Sequence, residues 1–378
     1  MKIVIAPDSF KESMTALEAA TAIETGFKKV LPNADYQKVP MADGGEGTVQ
    51  SLVDATNGEI IYETVTCPLG NSVDAFYGIT GDGKTAVIEM AAASGLHLIS
   101  SENRNPLKTT TRGTGELIRK ALDKGVKHLI IGLGGSATND GGAGMAQALG
   151  AKLLDANGEQ IGYGGGELKE INSIDVSNID PRLTNIIIDV ACDVDNPLTG
   201  ERGAAVVFGP QKGATPEMVK ILDENLSHFA DVLKKDLEKD IAPIPGTGAA
   251  GGLGAGLLAF LNADLKRGVD IVLEFVKLEE KIKDATLVFT GEGKIDCQTI
   301  YGKTPIGVAK TAKKYGVPVI GIAGSIGDQS DVVYEHGIDA LFTIVPGAVK
   351  LEEALHHAEQ YTMDTAENIA RMIQLTRV

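Results

Sequence analysis

Residues 128–145 read HLIIGLGGSATNDGGAGM, and this stretch decides the fold class of the chain. The apolar run at 128–131 predicts a short buried β-strand, and the residues after it form a glycine-rich turn that leads into a helix. A strand that passes through such a turn into a helix is typical of parallel α/β sheets. The stretch therefore favours an α/β protein with a ligand-binding loop at the carboxyl end of a strand.

The same alternation of strand and helix is predicted toward both ends of the chain. The N-terminal part predicts strands at 3–5 and 37–40 and helices at 15–30 and 47–55. The C-terminal part predicts strands at 287–290, 317–323 and 340–345, a helix at 305–315 and one terminal helix at 351–373. The middle has antiparallel character, with strands at 59–65, 73–80 and 85–90, a hairpin turn at 81–83, further strands at 185–191 and 205–208, and a helix at 216–239.

Two domains are expected, because 378 residues exceed what one hydrophobic core usually supports. Pro243 and Pro245, with the glycines around them, indicate a boundary. We therefore predict a Rossmann-like, doubly wound parallel sheet domain made of residues 1–64 and 240–378. A second α/β domain of residues 65–239 is inserted into it, and the active site is expected in the cleft between the two.

Charge and cysteine content narrow the functional class. The net charge is −16, from 35 Lys+Arg against 51 Asp+Glu, so neither nucleic acid nor a membrane is an expected partner. The three cysteines, Cys67, Cys192 and Cys297, are scattered, and the first residues lack the long apolar region of a signal peptide. These features predict a cytoplasmic protein and leave homo-oligomerisation open.

Acidic residues follow the first two predicted strands. Asp8, Ser9 and Lys11 follow the first strand, and Asp43 and Glu46 lie in the glycine-rich segment after the second. Asp8 suits Mg²⁺ or a substrate hydroxyl and Lys11 suits a phosphate. The glycines of the second segment and the helix start behind them suit an anion. Both segments also fit ordinary capped turns.

The loop after residue 131 is the strongest candidate anion site in the sequence. Its glycines let backbone N–H groups approach an anion, and the following helix is expected to add further N–H donors. The predicted phosphate or nucleotide ligands of this loop are Gly134, Gly135, Ser136, Thr138, Asn139 and Asp140. Lys212, which lies beside glycines, could reach a phosphate, although a lone lysine is usually only a solvated residue.

Two more acidic motifs are candidates for chemistry. Asp193 and Asp195 follow the strand at 185–191, and Asp193 is the sharper candidate because Asp195 begins an ordinary Asp-Asn-Pro turn. The segment TGEGKID at 290–296 is expected just past the end of a strand. Its predicted nucleotide-binding residues are Gly291, Glu292 and Asp296.

Two familiar nucleotide-binding motifs are rejected. The segment CQTIYGKT at 297–304 nearly matches a P-loop, but Cys297 stands in place of the first glycine and no strand immediately precedes it. No GxGxxG follows the first strand, which disfavours a nicotinamide dehydrogenase. A ligand sensor without catalysis remains an alternative, although five polar motifs at strand ends favour an enzyme.

With these residues in view, the chain resembles the bacterial glycerate kinase family, type one, along essentially its whole length. The matching segments, in the family's order, are IAPDSFKESM at 5–14, PMADGGEGT at 40–48, IEMAAASGL at 88–96, TTRGTGELI at 110–118, GGSATNDGGAGM at 134–145, ACDVDNPL at 191–198, FGPQKGA at 208–214, GAAGGLGAG at 248–256 and TGEGKID at 290–296.

The resemblance implies an α/β fold with a Rossmann-like domain and an inserted domain. It also implies transfer of the γ-phosphate of ATP to D-glycerate with Mg²⁺. The usual product is 2-phosphoglycerate, although some members are described as forming the 3-phosphate, and a kinase of a related hydroxy acid or sugar is a further alternative. Such an activity fits the use of glycerate from glyoxylate, glucarate or galactarate breakdown.

Specific roles follow as expectations for a phosphoryl-transfer site. We predict Asp193, Asp8 and Asp43 as catalytic residues and Asp43 and Asp193 as metal ligands. Asp193 is preferred as the base because it ends an apolar strand. Arg112 is predicted to clamp the substrate carboxylate with two parallel hydrogen bonds, although a surface arginine explains it almost as well. The full set of predicted substrate-binding residues is Ser9, Lys11, Glu46 and Arg112.

Overall fold

The computed structural model describes residues 1–375, and strands alternate with helices along most of that length. The strands are β1 (Lys2–Ile5), β2 (Asp35–Lys38), β3 (Glu59–Thr66), β4 (Ser72–Ile79), β5 (Thr85–Glu89), β6 (His128–Gly132), β7 (Lys152–Leu154), β8 (Ser173–Asp175), β9 (Ile187–Ala191), β10 (Asp264–Lys266), β11 (Leu287–Ile295), β12 (Val319–Ile326) and β13 (Ala340–Thr343). The α-helices are α1 (Ala16–Lys28), α2 (Thr48–Thr56), α3 (Ala91–Ser94), α4 (Arg112–Asp123), α5 (Ala143–Ala148), α6 (Ala204–Phe208), α7 (Pro216–Leu237), α8 (Ala249–Leu261), α9 (Gly268–Phe275), α10 (Leu278–Ile282), α11 (Thr304–Lys313), α12 (Leu351–His356) and α13 (Ala358–Leu375). The predicted α/β class is confirmed.

The first of two compact units comprises Met1–Asp43, Gln50–Gly58 and the chain from Val269 onward. Its sheet has five parallel strands in the order β13-β12-β11-β1-β2. From the central pair of β1 and β11, the chain adds β2 on one side and β12 and β13 on the other. In open α/β sheets, ligands bind outside the carboxyl ends of the strands at such a reversal. The residues that follow β1 and those in the second half of β11 are therefore candidates for a site.

The core of the first unit depends on close packing of α1 against the sheet and against α13. A capping box begins α1, because Thr15 and Glu18 each accept a hydrogen bond from the other's backbone N–H. Phe27 is buried and meets Phe289 of β11 edge-on, with ring centroids 4.8 Å apart. A side chain at Gly26 would overlap the backbone of α13, so the two helices approach through this glycine.

The second unit comprises Gly44–Val49 and Glu59–Gly268. Its main sheet has six strands in the order β10-β9-β6-β5-β4-β3. The four strands β10, β9, β6 and β5 pair in parallel, and β4 pairs antiparallel with both β5 and β3. A small antiparallel pair, β7 and β8, is separate from it. The strands at the centre of the main sheet are buried, as the fully covered side chains of Ile88, Leu129 and Val190 indicate. The loops after β6 and β9 therefore lie side by side at one edge of the sheet.

Three predicted elements differ in the structure. The run at 205–208, predicted as a strand, is helix α6, which packs against α7 and α8. The alanines of α6 are buried, whereas Val206 and Val207 are exposed. The short apolar run therefore forms one turn of helix and not a buried strand. The predicted terminal helix at 351–373 is divided at His357 into α12 and α13.

The third difference concerns the segment at 290–296, which was expected past a strand end. Strand β11 continues through it to Ile295 and pairs with β12 as far as Ile326. A side chain at Gly291 would overlap the carbonyl oxygen of Ile322, so glycine permits this pairing.

The bounds of the two units also differ from the expected domain boundaries at 64/65 and 239/240. Pro243 and Pro245 lie between α7 and α8, and the second unit continues through β10, which pairs in parallel with β9.

Within residues 1–375, no helix combines the length and the apolar character needed to cross a membrane.

Candidate active site

A cavity of about 380 Å³ lies in the second unit at the carboxyl ends of its parallel strands. Its wall includes the loop after β6 at Gly134–Ser136, the residues after β9 at Cys192 and Asp193, and Lys212. Ala249 and Ala250 of α8 and the pair Gly44 and Gly45 complete much of the lining. The structure thus brings together four segments that the sequence analysis singled out separately.

The loop after β6 presents backbone donors to this cavity. Gly135 has a positive φ of +73°, and the N–H groups of Gly134, Gly135 and Ser136 have no hydrogen-bond acceptor among residues 1–375. The loop is pinned in place because Leu96 donates its N–H to the oxygen of Gly135 at 2.8 Å. Successive N–H groups around a left-handed residue form an anion-binding concavity. This arrangement can hold a phosphate group.

Lys212 is the cation of the cavity and is 1% exposed. Its Nζ donates hydrogen bonds to Ser136 Oγ at 2.7 Å and to the carbonyl oxygen of Thr138 at 2.6 Å. Burial lowers the pKa of Lys212 to about 7, and the charge of Asp140 opposes this effect. The alternative of an ordinary solvated lysine at this position is therefore wrong, because Lys212 is buried.

Asp140, predicted as a phosphate or nucleotide ligand, is used internally. Its buried carboxylate accepts hydrogen bonds from the N–H and hydroxyl of Thr111 at 2.8 and 2.9 Å and from the N–H groups of Gly142 and Gly144 at 3.2 and 3.3 Å. Burial raises the pKa of Asp140, and these hydrogen bonds oppose the rise. Thr111 Oγ1 accepts the N–H of Met145. The first-turn donors of α5, expected to meet an anion, are thus occupied by protein groups.

Thr138 and Asn139, also predicted as ligands, are completely buried. Thr138 Oγ1 and both polar side-chain atoms of Asn139 have no partner among the described residues. Neither residue belongs to the lining of the cavity. Their role as phosphate or nucleotide ligands stays a prediction.

Asp193 and Asp195 have different surroundings. Asp193 lies on the cavity wall, is exposed, and accepts the N–H of Gly268 at 3.1 Å. Asp195 is exposed, pairs with Arg202 at 2.6 Å and does not line the cavity. The structure therefore brings Asp193, and not Asp195, to the cavity that the loop Gly134–Ser136 lines.

The start of α2 differs from the expected open anion site. Glu89, at the end of β5, accepts the N–H of Val49 at 2.9 Å and also hydrogen bonds from the backbone of Gly47 and Thr48. Burial raises the pKa of Glu89, and these donors oppose the rise. A carboxylate of the chain itself thus fills the helix N-terminus that the glycine-rich turn was predicted to offer to a ligand. Glu46 in the same turn is exposed.

A carboxylate cluster lies in the first unit, at the reversal point of its sheet. Its members are Asp8 after β1, Asp43 after β2 and Glu292 within β11. Burial raises the pKa of Asp8 to about 7, and the negative charges of Asp43 and Glu292 add to the rise. Burial also raises the pKa of Glu292, while Lys303 opposes the rise. This cluster includes a carboxyl group that titrates near neutral pH.

Hydroxyl and ammonium groups orient these carboxylates. Asp8 accepts hydrogen bonds from the N–H of Ser9 at 2.6 Å and from Thr304 Oγ1 at 2.5 Å. Glu292 accepts from Thr299 Oγ1 at 2.8 Å and from Lys303 Nζ at 3.1 Å. Sequence reasoning missed Lys303 and Thr304 as supports of the cluster, although they are the last residues of the segment rejected as a P-loop. The near match to a P-loop was the sequence signal for these two residues. The expectation that no strand immediately precedes the segment was wrong, because β11 ends at Ile295 and α11 begins at Thr304.

Three other predicted site residues belong neither to the lining of the cavity nor to the carboxylate cluster. Lys11 is exposed, and Asp296 forms an ion pair with the exposed Lys294 at 2.8 Å, which holds the pKa of Asp296 below its usual range. Arg112 donates from Nε to Glu116 at 3.0 Å and lies 5.6 Å from the ring centroid of Tyr163. It does not line the cavity, so its role as a carboxylate clamp stays a prediction.

The arrangement of acidic, histidine and cysteine side chains bears on metal binding. No group of three or more His, Cys, Asp or Glu side chains in residues 1–375 is arranged to hold a metal ion. A nucleotide-bound Mg²⁺ is commonly held by one or two carboxylates together with the phosphates of the nucleotide. No lysine or arginine forms an ion pair with Asp8 among these residues, so its carboxylate can still accept a cation.

Comparisons with known proteins agree along the whole chain. A sequence profile described as "Glycerate kinase family" matches residues 3–374. The chain is 67% identical over 377 residues to a glycerate kinase of Bacillus subtilis (strain 168), an alignment that covers 100% of this chain and 99% of the relative. It is 58% identical over 375 residues to glycerate 2-kinase of Escherichia coli (strain K12), with coverage of 99% and 98%. A crystal structure from Salmonella typhimurium LT2, provisionally assigned as glycerate kinase 2, matches with a TM-score of 0.93 at 56% identity, with coverage of 100% and 99%.

Proposed function

Because the chain belongs to the glycerate kinase family, we propose that it transfers the γ-phosphoryl group of ATP to D-glycerate and forms 2-phospho-D-glycerate. The observation that carries the proposal is the 58% identity, over 99% of the chain, with a relative named glycerate 2-kinase. The geometry supports phosphoryl transfer, in which a protein contributes mainly by positioning and electrostatic stabilisation.

The loop Gly134–Ser136 is the proposed binding site of a phosphate group. Its three N–H groups and the nearby ammonium of Lys212 supply hydrogen bonds and positive charge without a basic surface. This assignment reconciles a net charge of −16 with a phosphorylated ligand, because the donors are confined to one cavity.

Asp193 is the proposed base for the substrate hydroxyl. It is supported by its position on the same cavity wall as the phosphate loop. Asp8 is the rival, because a carboxyl group whose pKa is about 7 is well matched to proton transfer near neutral pH. Ser9 and Lys11, next to Asp8, and Glu46 and Arg112 are retained as proposed substrate contacts.

Asp43 and Asp193 are the carboxylates that we propose would hold Mg²⁺. When it is bound, the ion supplies neutralisation of the negative charge on the phosphates. The residues of this chain would orient the substrate hydroxyl that accepts the phosphoryl group and would hold the phosphates of ATP in place. The requirement is tested by assaying the enzyme in excess chelator. Full activity under that condition contradicts it, and restoration by added Mg²⁺ supports it.

The reaction itself is tested by a coupled assay of ADP release with ATP, Mg²⁺ and D-glycerate, followed by NMR of the product. A phosphate on the 2-hydroxyl is the expected result. A phosphate on the 3-hydroxyl supports the alternative of a 3-phosphoglycerate-forming enzyme. Faster turnover of another hydroxy acid in a substrate panel supports a kinase of a related acid, and glycerate binding without ADP release supports a sensor.

The proposed location of this activity is the cytoplasm. Cys67, Cys192 and Cys297 are all free thiols, which suits a reducing compartment.

A further inference from the structure

Among the described residues, Lys212 has no acidic group at contact distance that could balance the charge of its protonated form. Its Nζ contacts two neutral oxygens, Ser136 Oγ and the carbonyl oxygen of Thr138, and no carboxylate lies within ion-pair distance in residues 1–375. Buried charges in proteins are normally paired. The missing counter-charge must therefore come from a ligand, or the lysine must lose its proton.

The charged groups around Lys212 are few. Asp140 acts on it from a distance, but its carboxylate is already bonded to Thr111 and to two backbone N–H groups near α5. Asp193 lies on the wall of the same cavity, and Arg104 donates from Nη1 to the carbonyl oxygen of Gln211, next to Lys212. Neither forms an ion pair with Lys212. Lys212 thus contacts the loop Gly134–Ser136 through Ser136 and has no carboxylate at contact distance in the described part of the chain.

We propose that Lys212 binds the phosphoryl group that is transferred, and that it takes up one proton when that group arrives. The free amine gains the proton from solvent, so the bound pair consists of an ammonium ion and a phosphate dianion. Three backbone N–H groups and one ammonium match the several oxygens of a phosphate better than the two oxygens of a carboxylate. The assignment to the transferred group rests on the proposed function, whereas the anion site itself does not.

Burial supports the protonation step, because the pKa of Lys212 in the ligand-free protein is lowered to about 7. At pH 8, a group with that pKa is about nine-tenths unprotonated, and a phosphate dianion held against it raises its pKa again. Binding should therefore consume close to one proton per site at pH 8. A permanently charged cation at this position would consume none.

The test is titration calorimetry at pH 8 in two buffers of different ionisation enthalpy, with inorganic phosphate, 2-phosphoglycerate, ADP and D-glycerate as separate probes. The wild type is expected to bind inorganic phosphate and 2-phosphoglycerate with proton uptake. Lys212→Met should weaken both by about 10- to 100-fold, as loss of a charge-assisted hydrogen bond does. Its remaining binding should show about one proton less uptake than the wild type. ADP and D-glycerate should bind as before.

Two variants separate this role from a structural one. Lys212→Met removes a group whose burial forces its pKa down to about 7 and so costs stability, and its melting temperature should be equal to or above that of the wild type. Lys212→Arg keeps a charge that cannot titrate, so it should bind phosphate without proton uptake. If the arginine does not fit, the methionine variant still decides the question. Lys220→Met, on the exposed side of α7, is the matched control and should change nothing.

Several outcomes overturn the inference. Unchanged phosphate affinity and proton uptake in folded Lys212→Met removes Lys212 from the site. Weaker ADP binding with normal 2-phosphoglycerate binding assigns the lysine to the nucleotide's own phosphates. Weaker D-glycerate binding alone assigns it to a carboxylate. If phosphate binding depends on Lys212 while no acid is phosphorylated by ATP, the proposed function fails and the anion site stands.

Discussion

Asp193 and Asp195 are two residues apart, and they form a natural pair for testing the catalytic base. Asp193 lines the cavity, whereas Asp195 is an exposed partner of Arg202. Asp193→Asn should lower kcat by about 10²–10⁴-fold, with nucleotide affinity little changed, because an aspartate base acts mainly in the transition state. The loose transition state of phosphoryl transfer needs little help from a base, so the low end of that range is expected.

Steady-state kinetics of Asp193→Asn and Asp195→Asn check this prediction. Asp195→Asn should keep wild-type kcat. The assignment of the base moves to Asp8 if Asp193→Asn is nearly normal and Asp8→Asn has no turnover.

Asp8 should make stability depend on pH. Its folded-state pKa is about 7, above the usual carboxyl value, so between about pH 4 and 7 the folded state binds more protons than the unfolded state. The free energy of unfolding therefore falls as pH rises through that window, and the loss persists above it. Asp8→Asn removes the titrating group, and Thr304 can still hydrogen-bond to the amide.

Melting curves between pH 4 and pH 8.5 check this effect. At pH 8, Asp8→Asn should melt about 2–5 °C above the wild type, and the difference should shrink toward pH 4. Asp195→Asn, with its exposed carboxylate, is the control. Parallel pH profiles for wild type and Asp8→Asn would show that Asp8 titrates normally.

Lys212 and Glu89 show where prediction from sequence stops at the level of the residue. The composition of the glycine-rich loop predicts an anion site, and the position of Lys212 beside glycines predicts a phosphate ligand, with an ordinary solvated lysine as the alternative. Its burial against Ser136 depends on a contact across 76 positions in sequence. Glu89 gave no local signal, because its hydrogen bond reaches Val49, 40 positions earlier in the chain. Composition identifies loops, but only the fold tells which charged side chain fills them.

The loop after β6 can be tested without damaging its backbone. Gly135 has a positive φ, so any side chain there strains the loop, and Gly135→Val would mix strain with loss of binding. At Gly134, an added methyl group would meet only Gly45 Cα, at 3.7 Å. Gly134→Ala should therefore fold normally and place a methyl group beside the anion-binding N–H groups.

Binding of inorganic phosphate to Gly134→Ala measures the result. We expect affinity to fall by about 10-fold or more, the equivalent of one hydrogen bond. Gly347→Ala, at an open position in the first unit, is the control and should bind as the wild type does. Wild-type affinity in a folded Gly134→Ala would mean that the loop is structural.

The contact between α1 and α13 gives a second prediction for an element. In Gly26→Ala, the new methyl group would overlap the backbone of α13 at Met363, and overpacking costs about 1–3 kcal/mol. Alanine gains about 1 kcal/mol in helix propensity, which offsets only part of that cost.

Urea denaturation should therefore show a lower free energy of unfolding for Gly26→Ala. Thr25→Ala, one residue earlier on the exposed side of α1, should be neutral or stabilising. Equal stability of Gly26→Ala and the wild type would mean that α13 shifts to accommodate the methyl group.

Elements were predicted well where periodicity was long, and poorly where the apolar run was short. The amphipathic pattern at 15–30 corresponds to α1 at Ala16–Lys28. The run at 205–208 gave a strand instead of α6, because four apolar residues fit either structure until α7 and α8 determine which side is buried. The end of β11 was missed because glycines usually mark turns, whereas here they permit close pairing with β12.

At the scale of the whole molecule, the return of the chain to its first sheet was predictable and the bounds of the units were not. Strand-helix alternation at both ends of the sequence indicated one sheet assembled from distant segments, and β1 does pair with β11, Ile3 opposite Leu287. The prolines near residue 243 suggested a boundary, but the parallel pairing of β10 with β9 is a long-range contact that local composition does not encode.

The pairing of Ile3 with Leu287 has a consequence for how the protein is made. On the ribosome, all strands of the second unit, which ends at Gly268, are synthesised before β11. At about 5–20 residues per second, β1 and the apolar side of α1 wait roughly 15–60 s for their partner strand. Nascent chains stalled once residue 268 has left the ribosome, while β11 is still inside it, should then resist protease between residues 59 and 268 and be cleaved within the first 43. During that interval the newborn N-terminus is the part of the chain that most needs a chaperone.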